Sequence, residues 1–211
     1  MNKFKSTGLA VIITAFAAGA YLYPSMPGNM ASHWDANGQV NGYMSKFWAL
    51  FLLPIVTLAA YSLFLLLPKI DPLKANYKKF RKYYDGFLAA FVLFMAYIYA
   101  LTVLWNKGFD FDMTAAIIPA MATLFYFVGV LLEKAKQNWF IGIRTPWTLS
   151  SEAVWDKTNK LGAKIFKIFG AASLLGVFLE GTYFFLLIIA LVIASLYLIV
   201  YSYFAFRKEK P

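Results

Sequence analysis

Residues 183–206 read YFFLLIIALVIASLYLIVYSYFAF, twenty-four positions without one charged side chain. About twenty apolar residues carry an α-helix across a hydrocarbon core of about 30 Å, so this stretch is a membrane span. Working back from it, five further apolar stretches appear at Thr7–Tyr23, Phe47–Leu67, Gly86–Trp105, Thr114–Leu132 and Ile165–Leu179. The last of these is the weakest, with Lys167 at its start and Glu180 after its end. A start nearer Lys160 lets Lys164 and Lys167 snorkel to the headgroups. Composition agrees: 61% of the 211 residues are hydrophobic, 14% are charged, and the mean hydropathy is +0.62. So few charges cannot cover a globule in water, and lipid is the solvent for most of the chain. The expected fold is all-α, a polytopic bundle of six transmembrane helices forming a single membrane domain over residues 1–211.

Charge placement orients the bundle. Of the 20 basic residues, 18 fall on the side of the N-terminus: Lys3 and Lys5, the connections around Lys69–Lys82 and Lys134–Lys164 with Lys167 at the membrane edge, and the tail after Phe206. Only Lys46 and Lys107 fall on the other side. The positive-inside rule then puts both termini in the cytoplasm of a multi-pass protein of the plasma (inner) membrane. The net charge of +10 is spread between spans rather than gathered on a basic surface, which favours anionic lipid over direct nucleic-acid binding. Lys3 and Lys5 before an Ala-rich run resemble a signal peptide, but Tyr21, Tyr23 and Pro24 spoil the cleavage site, so the first span is read as retained. Trp34, Tyr43, Trp48, Trp105 and Trp139 lie at span ends, where an amphipathic ring prefers the headgroup layer. Pro54 and Pro119 are expected to kink spans two and four.

Two connections are unusual. The external one, residues 24–46, is rich in Pro, Gly and Asn, and is expected to fold as short extended pieces and tight turns. Its His33 is the sole histidine; a metal role lacks partners at suitable spacing, so a structural role is the plainer one. No metal and no cofactor is expected. The cytoplasmic one, residues 134–164, runs from Asn138 through Trp139, Gly142, Arg144, Thr145, Pro146 and Trp147 to Glu152, Trp155 and Asn159. Three tryptophans cannot lie in water without cost, so they must bury in the interface, the bundle or a partner. Pro146 biases Thr145 to an extended conformation, and Ser150 is expected to N-cap a helix carrying Glu152 in its first turn. Glu152, Trp155, Asp156 and Asn159 then share a face that Arg144 could pair with, making either an anchor or a docking surface from Arg144, Trp147, Glu152 and Trp155.

The stretch Gly142-Ile143-Arg144-Thr145-Pro146-Trp147-Thr148-Leu149, followed by Glu152, Trp155 and Asn159, resembles the signature of the SdpI family of bacterial immunity proteins. The external segment, with Pro27, His33-Trp34, Gly38, Tyr43 and Ser45-Lys46, resembles that family's N-terminal module. The resemblance implies a non-enzymatic protein that protects the cell against a secreted, membrane-active peptide toxin. It also implies, for some members, a receptor that holds a transcriptional repressor at the membrane. Membrane lipids, such a toxin and such a repressor are the expected partners.

Two other classes fit the residues less well. A transporter or channel places ionisable groups inside spans, whereas Asp85, Glu133 and Glu180 fall at span ends and Thr57, Thr102, Thr123, Ser173 and Ser195 can bond their own backbone. An intramembrane enzyme needs a nucleophile with a base or paired carboxylates; cysteine is absent and the sole histidine is external. The lack of cysteine makes orientation simple to test. A cysteine placed at Asn37 is expected to react with an impermeant maleimide on intact cells, and one at Lys160 only after permeabilisation; the reverse pattern would invert the bundle.

Overall fold

The computed structural model describes residues 3–179 and 182–209. Glu180, named after the end of the fifth span, Lys210, counted in the charge asymmetry, and the side chain of Lys3 lie outside the described residues. The order is α1 (Lys3–Leu22), β1 (Asn29–Trp34), β2 (Val40–Ser45), α2 (Lys46–Ile70), α3 (Tyr77–Asn106), α4 (Met113–Lys134), α5 (Pro146–Ser150), α6 (Glu152–Ser173) and α7 (Thr182–Arg207). Helices α1, α2, α3, α4 and α7 are long and apolar enough to cross a membrane. The chain is an all-α polytopic bundle with a small antiparallel hairpin, β1–β2, on the connection between α1 and α2.

The expected span at Ile165–Leu179 is the latter half of a longer element. Helix α6 starts at Glu152 and runs to Ser173, where the chain tightens into a 3₁₀ turn over Leu174–Val177. Lys157, Lys160, Lys164 and Lys167 make it too polar to stand with the five apolar helices on hydropathy alone. It nevertheless lies antiparallel and tightly against α4. A Cβ on Gly129 of α4 would fall 2.8 Å from the Ala163 carbonyl oxygen, and one on Gly170 of α6 would fall 2.7 Å from that of Ala122. Small residues let helix backbones approach this closely where lipid offers no hydrophobic drive. Lys167 reaches back along the pair to Glu133 at the C-terminal end of α4, so the two opposite charges offset one another.

Local caps explain where the helices begin. Asp112 accepts the Ala115 N–H (3.0 Å) to open α4. Thr145 and Thr148 exchange bonds as a capping box around α5, with Pro146 in its first position. The cap of α6 falls one residue later than Ser150: Ser151 Oγ accepts the Val154 N–H at 3.2 Å. Ser150 instead closes α5, its hydroxyl donating to the Pro146 carbonyl (2.6 Å). The reason is that Pro146 starts a helix of its own, so the chain must break into extended backbone at Ser151 before α6 can start.

The core forms three layers. Met26, Met30, Leu50 and Tyr99 pack at the hairpin end, Ile12, Tyr61, Leu88 and Val92 in the middle, and Tyr77, Phe80, Tyr84, Leu131 and Trp155 at the opposite end. The prolines of α2 and α4 sit within unbroken helical segments, and α2 holds a second one, Pro68, beyond the expected end of its span. Proline has no N–H, so Pro68 leaves the Phe64 carbonyl without its partner four residues on. The Tyr84 hydroxyl of α3 supplies the missing donor at 2.6 Å. The Tyr61 hydroxyl donates to the Lys5 carbonyl at 2.7 Å, tying α2 to α1. Tyr84→Phe should therefore cost about 1–3 kcal/mol, the penalty for a buried unpaired carbonyl. In a Pro68→Ala background the helix supplies its own N–H and the loss should shrink; equal losses in unfolding assays would refute the pairing.

Candidate functional site

The connection between α4 and α6 is a knot of saturated polar groups. At its centre Asn138, fully buried, accepts from the Phe140 (2.9 Å) and Ile141 (2.6 Å) N–H groups and from the Tyr77 hydroxyl (3.3 Å). Its amide donates to the Lys136 and Ile141 carbonyls, each at 2.8 Å. One carboxamide thus satisfies a whole turn of otherwise orphaned backbone. Asn159 of α6 serves the following stretch of loop in the same way, accepting the Ile143 N–H (2.9 Å) and donating to the Trp155 carbonyl (3.1 Å). Trp155 is wholly buried and donates its indole N–H to the Ala135 carbonyl (2.9 Å), closing the start of the loop onto α6. Between these groups Gly142 adopts φ +124°. A Cβ there would meet Asn159 Oδ1 at 2.8 Å and the Trp155 ring at 2.9 Å, so both backbone angle and space demand glycine.

Other elements lock the knot from outside. Asp71, buried after α2, accepts from the Trp139 N–H (2.9 Å) and from the Leu73 N–H (2.6 Å). Gln137 donates to the Thr148 and Leu149 carbonyls, both at 2.9 Å, and Asn76 donates to the Gln137 carbonyl at 2.8 Å. Lys136 pairs with Asp156 at 2.9 Å. The end of α7 is fastened to the same place: Thr145 bonds Ser202 (2.9 Å), Trp147 packs edge-on to Tyr203 (5.1 Å), and Ser151 donates to Glu209 (2.6 Å), which also pairs with Lys157 (3.2 Å). The Ser151 hydroxyl and Lys157 hold the Glu209 carboxyl below its usual range.

The signature residues therefore divide. Asn138, Gly142, Thr145, Trp155 and Asn159 form a brace with their polar groups already engaged. Arg144, Pro146 and Glu152 face outward, with Trp147 half-buried. Arg144 donates to the Trp139 carbonyl (2.7 Å) instead of pairing with the carboxylates of α6, and Trp139 itself stays half exposed. Trp155 does not belong to an exposed face with Arg144, Trp147 and Glu152, because its ring fills the interior. Asp71, Tyr77, Gln137 and Ser202 are members that sequence reasoning does not pick out, and Thr148, part of the signature stretch, joins them. The pair Asp71-Pro72 is a turn signal that could have marked the first of them. The others are ordinary residues until the fold gathers them.

On the other side of the bundle the hairpin is held by side chains from three helices. Asn106 at the end of α3 accepts the Ala31 N–H (2.7 Å) and returns a bond to the Ala31 carbonyl (2.9 Å), pairing with β1 as a neighbouring strand would. Thr114 of α4 donates to the Asp35 carbonyl (3.0 Å), and Lys46 of α2 lies 4.6 Å over the Tyr23 ring. His33 bonds Asn41 across the hairpin, a structural role. Trp34 packs edge-on to Trp105 at 5.6 Å, Gly38 turns the hairpin at φ +76°, and Pro27 and Tyr43 stay exposed. Beneath the hairpin, walled by α2, α3 and α4, is a cavity of about 630 Å³. Phe185, at the outer end of α7, also lines it.

Two measurements probe this geometry. Asn138→Ala removes five bonds from a fully buried position and should lower stability by about 3 kcal/mol or more, read as a fall in melting temperature in detergent. The Glu209 clasp should respond to acid. Its folded-state pKa lies below the unfolded value, so its contribution is present above the unfolded pKa and fades as pH falls through the folded one. A spin label on the tail should gain mobility in that acid range, and Glu209→Gln should abolish the pH response.

Residues 134–202 match the model of the SdpI/YfhL protein family, and residues 10–58 match a domain of unknown function, DUF1648. The first range carries the brace, α5, α6 and most of α7; the second carries α1, the hairpin and the outer half of α2. The chain is also 27% identical over 201 residues to the immunity protein SdpI of Bacillus subtilis (strain 168), covering 95% of this chain and 94% of that protein. No solved structure matches. The chain is thus a multi-pass membrane protein with an SdpI/YfhL-family region at residues 134–202, as its signature loop implied.

Proposed function

We propose that this protein is a non-enzymatic immunity protein of the plasma membrane, protecting the cell against a secreted, membrane-active peptide. The observation that carries the reading is similarity along nearly the whole chain to an immunity protein, with both signature regions built as ordered regions of one bundle. An attacker arrives from outside, so the hairpin and the cavity below it are the receiving side. The Asn138 brace is the inner structure, and Arg144, Pro146 and Glu152 are the groups it presents to the cytoplasm, where a repressor could be held. Helix α7 touches both: Phe185 lines the outer cavity, while Ser202 and Tyr203 clasp the signature loop and Glu209, just past the helix end, holds Ser151. Signalling across the membrane needs such an element to exist in two positions with different affinities at its ends.

The test is survival of a sensitive bacterial host challenged with a membrane-active peptide toxin of the matching type. The intact protein should protect. Arg144→Ala should insert at normal levels, because the side chain is exposed, yet protect less by about tenfold or more, as expected when one charge-assisted contact is lost. Full protection by that variant would remove Arg144 from the mechanism, and no protection by the intact protein would reject immunity.

A further inference from the structure

We infer that the cavity under the hairpin binds the apolar, cation-tipped end of a peptide inserted in the outer half of the bilayer. This rests on the immunity reading above and names the ligand feature recognised. The volume of about 630 Å³ falls in the range of about 300–1,000 Å³ typical of ligand sites. Depth limits what can enter. The deepest lining residues, Leu53 of α2 and Met121 of α4, lie two turns below Lys46 and Met113, about 10 Å at 1.5 Å per residue. The inner half of α2 takes no part, so the site receives a partly inserted segment rather than a helix that spans the bilayer.

Charge selects among the amphiphiles that could fit. Below the rim the walls are apolar, with Leu52, Ile98 and Ile117 among them. At the rim Asp35 is the one carboxylate in the lining among the described residues, and neither lysine nor arginine is found there. Asp35 Oδ1 is fixed by the Asn37 (2.8 Å) and Gln39 (3.0 Å) N–H groups, so both of these bonds fall on one carboxylate oxygen. A fixed carboxylate beside a low-dielectric space attracts a cation and repels a phosphate. Anionic phospholipid headgroups are therefore poor occupants, whereas a lysine side chain or an N-terminal ammonium at the end of an apolar segment matches both the rim and the walls.

The experiment uses the full chain in lipid nanodiscs and a short leucine-rich peptide with lysines at its amino end and a dansyl group at its carboxyl end. Saturable binding, read by anisotropy above that of empty discs, is expected for this probe and not for its counterpart with glutamates in place of the lysines. Asp35→Asn keeps the side-chain carbonyl that caps the turn, and should weaken binding about fivefold or more, the worth of one partly desolvated ion pair. Ile117→Trp, which fills the apolar end, should abolish it. Equal binding of the two peptides, or unchanged binding in Asp35→Asn, would overturn the charge assignment; unchanged binding in Ile117→Trp would overturn the site. Binding without protection in cells would reject immunity alone, and protection that survives both substitutions would reject the site alone.

Discussion

A carbonyl or amide left without a partner inside a bilayer or a packed protein interior has no water to turn to, and the structure is arranged around that constraint. Regular helices meet it by themselves, and at two departures from them a side chain makes up the deficit. Pro68 breaks a bond in α2, and Tyr84 restores it from the next helix. The loop after α4 abandons the helix altogether, and the Asn138 carboxamide takes up the exposed backbone. Packing follows from these repairs, since each one places a helix or loop at hydrogen-bond distance from its neighbour.

The same constraint separates support from recognition. A buried group whose bonds are all made within the chain gains nothing by turning to a ligand, because it would have to break one bond to form another. Asn138, Asn159, Trp155 and Gly142 are committed in this way, and their place in the signature reflects the geometry of the loop. Arg144 and Glu152 are held at the surface by that frame, where a partner can reach them. On the outer side the hairpin is a roof pinned by Asn106 and Thr114, and the fixed turn at Asp35 stands over an apolar space. Support and presentation are thus done by different residues within each region. Helix α7 both fastens to the inner region and reaches the outer cavity.

How much of this was legible beforehand depended on the range of the interaction involved. Span positions follow from runs of apolar residues, a property of neighbours in sequence, and α1, α2, α4 and α7 fall within a few residues of where hydropathy puts them. The start of α6 was harder. Its first half is polar on one side and buried against the loop on the other, and only contact with α4 and α7 shows how far it runs. The cap at Ser151 rather than Ser150 turned on whether Pro146 opened a separate helix, a choice that the Thr145–Ser202 bond to α7 helps to make.

From sequence alone came the membrane class, the helical bundle, the charge asymmetry, the two unusual connections and the signature residues, because each is written in composition or in local spacing. The tertiary structure decided which of those residues brace and which present. Trp155 and Trp139 look alike as loop tryptophans, yet one fills the core and the other lies half exposed. Asp71, Tyr77 and Ser202 carry no signal of their own, and they belong to the brace because folding brings residues scores of positions apart to within bonding distance of the loop. Burial and hydrogen-bond pairing are properties of that assembled neighbourhood, and no local stretch of chain contains it.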